Sequence, residues 1–143
     1  TPDHLPTKTK FDGILVDAPC SGIGTWARNP DARWTTTAQD VEELSAVQRG
    51  LLDIIAASLK PGGRLIYAVC TLARRETTDI AAAFSAAHPE LTPLSLSASA
   101  CGAARERGDS EPASRLSPLA SGLVLWPQDL HANGMFVAAW QRK

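Results

Sequence analysis

The chain has 143 residues, 44% of them apolar and 20% charged, which is the size and make-up of one globular domain with a substantial core. Fourteen Lys and Arg against 15 Asp and Glu leave a net charge of −1, which excludes a globally basic nucleic-acid binder but not a local basic patch. Apolar runs such as residues 51–59 fall far short of the roughly 18 residues that a membrane span needs. Nothing marks the chain for secretion, and three widely spaced cysteines make no disulfide framework, so a reduced, cytoplasmic setting is expected.

Residues 1–10 carry two prolines and no periodicity, and read as a connector. Phe11–Asp17 is a short apolar run ending in an acid, the pattern of a parallel strand buried on both faces. Residues 18–31 form a polar loop punctuated by Pro19, Gly22, Gly24 and Pro30. Thr37 is a fitting cap for a helix over residues 38–59, where Val41, Leu44, Val47, Leu51, Leu52, Ile55 and Leu59 recur at helical spacing. Lys60-Pro-Gly-Gly63 should stop it, with Gly62 in the left-handed position after the helix end. Residues 64–69 read as a second buried strand and residues 77–87 as a second helix, ended by His88-Pro89. Residues 91–96 form a weaker strand, and residues 97–121, rich in Ser, Ala, Gly and Pro, a mobile surface loop. Residues 122–126 and 135–140 are two further strands, joined by a hairpin-like turn over 127–134. The order predicts an α/β domain whose first two strands are parallel and joined by a crossover helix.

In open α/β sheets, ligands bind at the carboxyl ends of the strands. That rule selects Asp17-Ala-Pro-Cys-Ser-Gly22 and Val69-Cys-Thr-Leu72, which put Cys20 and Cys70 just past two strand ends. Parallel, sequential strands send both loops to one sheet edge, so the two cysteines are candidates to face a single cleft. Other readings stand beside this one. A cysteine is often a small buried hydrophobe. Two cysteines can bind zinc, yet His4, His88, His131 and Cys101 show no ligand-pair spacing, so no metal is expected. Gly22-Ile-Gly24 resembles part of a phosphate-binding loop but lacks a third glycine, and a flexible loop suits it better. Asp17 can equally cap the backbone amides of its own loop.

Asp17-Ala-Pro-Cys-Ser-Gly22, then Arg28-Asn-Pro-Asp31, Trp34 and Gln48, resemble the Sun/Fmu family of RNA 5-methylcytosine methyltransferases. Lys60-Pro-Gly-Gly-Arg-Leu-Ile-Tyr-Ala-Val-Cys-Thr71 and the tail Gly134-Met-Phe-Val-Ala-Ala-Trp140 are similar to the same family. The resemblance implies the second half of a Rossmann-like class I methyltransferase fold, with parallel strands, crossover helices and a closing antiparallel strand. It implies S-adenosylmethionine as cofactor and RNA as partner, ribosomal RNA ahead of transfer RNA. It makes Cys70 the nucleophile that adds to cytosine C6 and Cys20 the residue that assists product release. Asp17 would lie beside cofactor and base, with Pro19 and Arg28 contacting substrate. A free thiol is only a few per cent ionised at neutral pH, so local positive charge is expected near Cys70, with Arg28, Arg74 and Arg75 the candidates.

Two departures from the family pattern stand out. Val69 occupies the place of a threonine, and Arg74-Arg-Glu-Thr-Thr78 that of Pro-Glu-Glu-Asn-Glu. They favour a rival reading, a catalytically inactive RNA-binding or interaction module that keeps the fold. A same-fold methyltransferase acting on nitrogen or oxygen is a third, but that chemistry needs no thiol pair. The family's Ala-Pro-Gly-Gly-Lys cofactor loop is not in the sequence. The chain is therefore expected to be the carboxyl-terminal part of a catalytic domain, to bind the cofactor weakly alone, and to self-associate through the sheet edge at residues 11–16.

Overall fold

The computed structural model describes residues 9–96, 117–119 and 122–143. The connector expected at residues 1–10 lies almost wholly outside them, as does most of the loop expected at 97–121, with Cys101. Six strands form one sheet: β1 (Phe11–Asp17), β2 (Leu59–Val69), β3 (Leu91–Pro93), β4 (Ser117–Leu119), β5 (Gly122–Leu125) and β6 (Met135–Arg142). The order is β1-β2-β6-β5-β4, with β3 also pairing to β6. β1 and β2 are parallel and every other pairing is antiparallel, so β6 closes the sheet against β2 as expected. The helices are α1 (Ala32–Thr35), α2 (Ala38–Ala56), α3 (Thr78–Ala87) and α4 (Pro127–Leu130). The short α4 occupies the turn expected at 127–134, and β4 lies within the stretch expected to be loop.

Thr37 caps α2 as the sequence predicts. Its hydroxyl accepts from the Asp40 N–H while the Asp40 carboxylate accepts from the Thr37 N–H, a reciprocal capping box. The helix ends at Ala56, three residues before the expected end, because Leu59 is drawn into the sheet and is 1% exposed. Arg142 reaches across from β6 and donates to the carbonyls of Ala56 and Leu59, satisfying acceptors at the helix end. Gly62 does take a left-handed conformation, at φ 79°, but inside β2 rather than as a helix cap. Phe11 pairs with Leu59 and Gly13 with Arg64, so residues 60–63 bulge out of the ladder between those pairs.

Neither β1 nor β2 is buried on both faces. Both helices pack on one face, where Leu52 and Ala56 of α2 and Ile80, Ala81 and Phe84 of α3 meet Leu65, Tyr67, Val69, Phe136, Ala138 and Trp140. Strand side chains alternate between faces, so Leu15 and Ile66 fall on the opposite face and stay exposed. Val69, the departure from the family's threonine, is fully buried in this core, opposite Phe136. Its side chain bears on packing rather than on the carboxyl edge of the sheet.

Candidate active site

Asp17 is in register with Ala68, and the Ala18 N–H bonds to the Ala68 carbonyl, so the loops after β1 and β2 leave the sheet side by side. The first loop then folds onto the second. A short 3-10 turn over Ile23–Thr25 brings the Gly24 N–H to the Cys70 carbonyl at 3.1 Å, while the Gly24 carbonyl accepts from the Gly134 N–H at 2.8 Å. A Cβ on Gly24 would sit 2.1 Å from the Gly134 oxygen, so only glycine allows this backbone contact. The Gly22-Ile-Gly24 segment is therefore a docking point between the first cysteine loop and the segments at Cys70 and Gly134.

This docking places Cys20 Sγ 3.4 Å from Cys70 Sγ, both free thiols and both half-buried. Burial, with a smaller contribution from the neighbouring Cys70, pushes the Cys20 thiol up to about 12. At neutral pH Cys20 keeps its proton and can donate it toward a sulfur or a substrate atom. A cleft of about 490 Å³ opens beside Cys20, lined among others by Ser21, Thr35, Thr36, Leu44 and Val47.

Behind the thiols lies a buried polar network. Glu76, in the 3-10 turn Arg74–Glu76, is fully buried. Its Oε1 accepts from the Ser21 N–H at 2.8 Å and from Gln48 Nε2 at 3.1 Å; its Oε2 accepts from the Ser21 and Thr71 hydroxyls. Gln48 Nε2 also donates to the Pro19 carbonyl at 2.8 Å. The Tyr67 hydroxyl lies 3.0 Å from Gln48 Oε1 and 2.7 Å from the Glu76 carbonyl. Burial, followed by the charge of Glu76, raises the Tyr67 phenol far above its ordinary range, so Tyr67 stays a donor. The network ties α2, β2 and both cysteine loops together.

The structure brings Cys20 and Cys70 together and sets Asp17 on the same sheet edge, exposed and without an ion pair among the described residues. Pro19 is exposed but contributes its carbonyl to the network, and Arg28 is exposed at the end of the first loop. The cations expected beside Cys70 are not supplied by Arg74 or Arg75. Arg74 pairs with Asp79 and Arg75 with Glu42, both at the surface, because carboxylates on α3 and α2 compete for them. Glu76 and Tyr67 were not legible as site residues, since their partners lie far along the chain. The sequence signals were the proximity of Glu76 to a strand-end cysteine and its coincidence with the third residue, a glutamate, of the family's Pro-Glu-Glu-Asn-Glu string. Among the described residues no group of three or more His, Cys, Asp or Glu is placed to hold a metal ion, and no helix is long and apolar enough to cross a membrane.

Residues 1–141 match the model of the family described as 16S rRNA methyltransferase RsmB/F. The chain is 35% identical over 128 residues to the ribosomal RNA small subunit methyltransferase F of Shewanella loihica, covering 90% of this chain and 24% of that protein. It is 43% identical over 84 residues to the probable ribosomal RNA small subunit methyltransferase B of Bacillus subtilis, covering 59% of this chain and 19% of that one. Among solved structures, the crystal structure of PH0851 superposes with a TM-score of 0.75 at 30% identity, over 92% of this chain and 26% of that chain. The structure of NSun6 from Pyrococcus horikoshii with SFG superposes at 0.67 with 22% identity, over 94% of this chain and 30% of that chain, a likeness of fold. The chain thus spans about a quarter of the length of the Shewanella loihica relative.

Proposed function

The chain belongs to the RsmB/F family of 16S rRNA methyltransferases, and on that premise we propose that it forms the carboxyl-terminal part of a catalytic domain that methylates C5 of a cytosine in ribosomal RNA. The observation that carries this reading is the thiol pair, 3.4 Å apart at the carboxyl edge of the sheet. Methylation of nitrogen or oxygen needs no thiol, whereas cytosine C5 is a poor nucleophile until a thiolate adds at C6.

Cys70 is the nucleophile of the proposed reaction. Its sulfur bonds to C6, and the electrons of the C5–C6 double bond become available at C5. S-adenosylmethionine, the family's cofactor, supplies the electrophilic methyl group when bound. The C5 proton then passes to water, the electrons of the C5–H bond re-form the C5–C6 double bond, and the sulfur–C6 bond breaks with its electron pair returning to the Cys70 sulfur. Cys20, which holds its proton at neutral pH, hydrogen-bonds the Cys70 sulfur and assists release. Asp17 fits the cofactor's side of the site: its carboxylate is exposed at the strand end and unpaired among the described residues. Pro19 shapes the loop against the base, and Arg28 is free to meet a phosphate. The exposed edge of β1 is a surface for self-association.

The test is methyl transfer to 16S rRNA by the full-length protein that carries this chain, with product identified as 5-methylcytidine by nucleoside mass spectrometry. Cys70→Ala should reduce transfer to background. Label entering transfer RNA but not ribosomal RNA would replace the substrate, and a Cys70→Ala protein that still methylates would overturn the mechanism.

A further inference from the structure

We propose that Glu76 is a positioning residue that sets the distance between the two thiols by clamping their loops. The inference rests on the reading of Cys70 and Cys20 as the reacting pair. Ser21 follows Cys20 and Thr71 follows Cys70 directly in the chain. Both hydroxyls converge on one oxygen of Glu76, and lie 2.9 Å from each other. The other oxygen takes the Ser21 backbone N–H and the Gln48 amide, so all four contacts are donors meeting acceptors.

Stability alone does not account for this residue. A fully buried carboxyl group that takes part in no ion pair among the described residues carries a desolvation cost that neutral donors only partly offset. Only a carboxylate offers two oxygens with acceptor capacity for four donors and no hydrogen of its own. A glutamine in its place turns an amide N–H₂ toward two of those donors and opens one side of the clamp. Through Gln48 the clamp extends to the Pro19 carbonyl, so both residues flanking Cys20 are held.

The thiol pair itself is the ruler. In the full-length protein that carries this chain, held without RNA or cofactor, a diazene oxidant such as diamide takes two electrons and two protons from the two thiols and is reduced to a hydrazine as the Cys20–Cys70 disulfide forms. The rate of that closure, divided by the rate of alkylation of Cys70 by iodoacetamide, measures how well the pair is aligned. Glu76→Gln should lower this ratio about tenfold or more, as expected when reacting atoms are displaced by an ångström or so, with circular dichroism unchanged. A residue that only stabilises the fold would move the melting temperature and leave the ratio of the folded molecules alone. If Glu76→Gln does not fold, Ser21→Ala and Thr71→Val each remove one hydroxyl from the clamp, and a lower ratio in either supports it. Folded variants that close at the native ratio would overturn the proposal. Because closure needs no substrate, a failure here is distinct from failure of the methylation reading, which shows as transfer by Cys70→Ala.

Discussion

Leu65, Tyr67 and Val69 are sealed beneath α2 and α3, whereas on the reverse of the same sheet Leu15 is 66% exposed and Ile66 38%. Leu15 and Ile66 are as apolar as Leu65 and Val69, so residue type does not explain why they stay exposed. What differs is cover: both helices of the described chain that are long enough to bury a stripe lie on one face. The covered face also carries the polar network, and the two meet at the carboxyl edge where the thiols emerge. Packing on one side thus fixes the backbone from which the two cysteine loops hang, while the other side contributes surface.

Adjacent residues of β2 give the sharpest way to break that contrast. Leu65→Ala should cost about 2–5 kcal/mol in denaturant unfolding, from lost burial and the cavity left behind. Ile66→Ala, one residue on, should cost no more than about 1 kcal/mol because its side chain remains partly in water. Equal losses would show that the two faces are not energetically distinct. Within the covered face, Tyr67→Phe removes the one hydroxyl donor that Gln48 Oε1 and the Glu76 carbonyl share, and should cost about 1–3 kcal/mol. A neutral result would mean that water reaches the network.

The bare face predicts smaller effects on folding and a larger one on association. Leu15→Lys should leave stability within about 0.5 kcal/mol, yet shift the chain toward monomer in sedimentation, since a charge on an open edge discourages pairing. Unchanged association would place the contact elsewhere. The smallest effect lies at the end of α3. Burial pulls the His88 imidazole down, but the hydrogen bonds its ring donates to Asp53 and Glu90 outweigh it and hold it above its ordinary 6.5. The contribution is complete below that ordinary value and fades as pH rises through the raised one. His88→Gln should therefore flatten the fall in melting temperature over that window, and an unaltered slope would contradict the pairing.

The meeting of Cys20 and Cys70 was legible because it follows from topology: parallel strands joined by a crossover put successive loops on one edge. The start of α2 was legible because Thr37 and Asp40 satisfy each other locally. Its end was not. Lys60-Pro-Gly-Gly63 reads as a turn, and only the pairing of Leu59 with Phe11, 48 residues away, draws this segment into β2. Glu76 was hidden for a related reason. Its partners Ser21 and Gln48 are 55 and 28 positions distant, so the contacts that bury it are not visible in the local sequence. The outward turn of Arg74 and Arg75 likewise depends on acids of other helices.

The central claim is that Cys70 attacks and Cys20 releases, and trapping the covalent intermediate tests it most directly. The full-length protein with labelled 16S rRNA and S-adenosylmethionine is resolved on a denaturing gel. Cys20→Ala should accumulate a protein–RNA adduct that the unaltered protein turns over, and the Cys20→Ala/Cys70→Ala double variant should show none. An adduct that persists without Cys70 would contradict the assignment and exchange the roles of the two thiols.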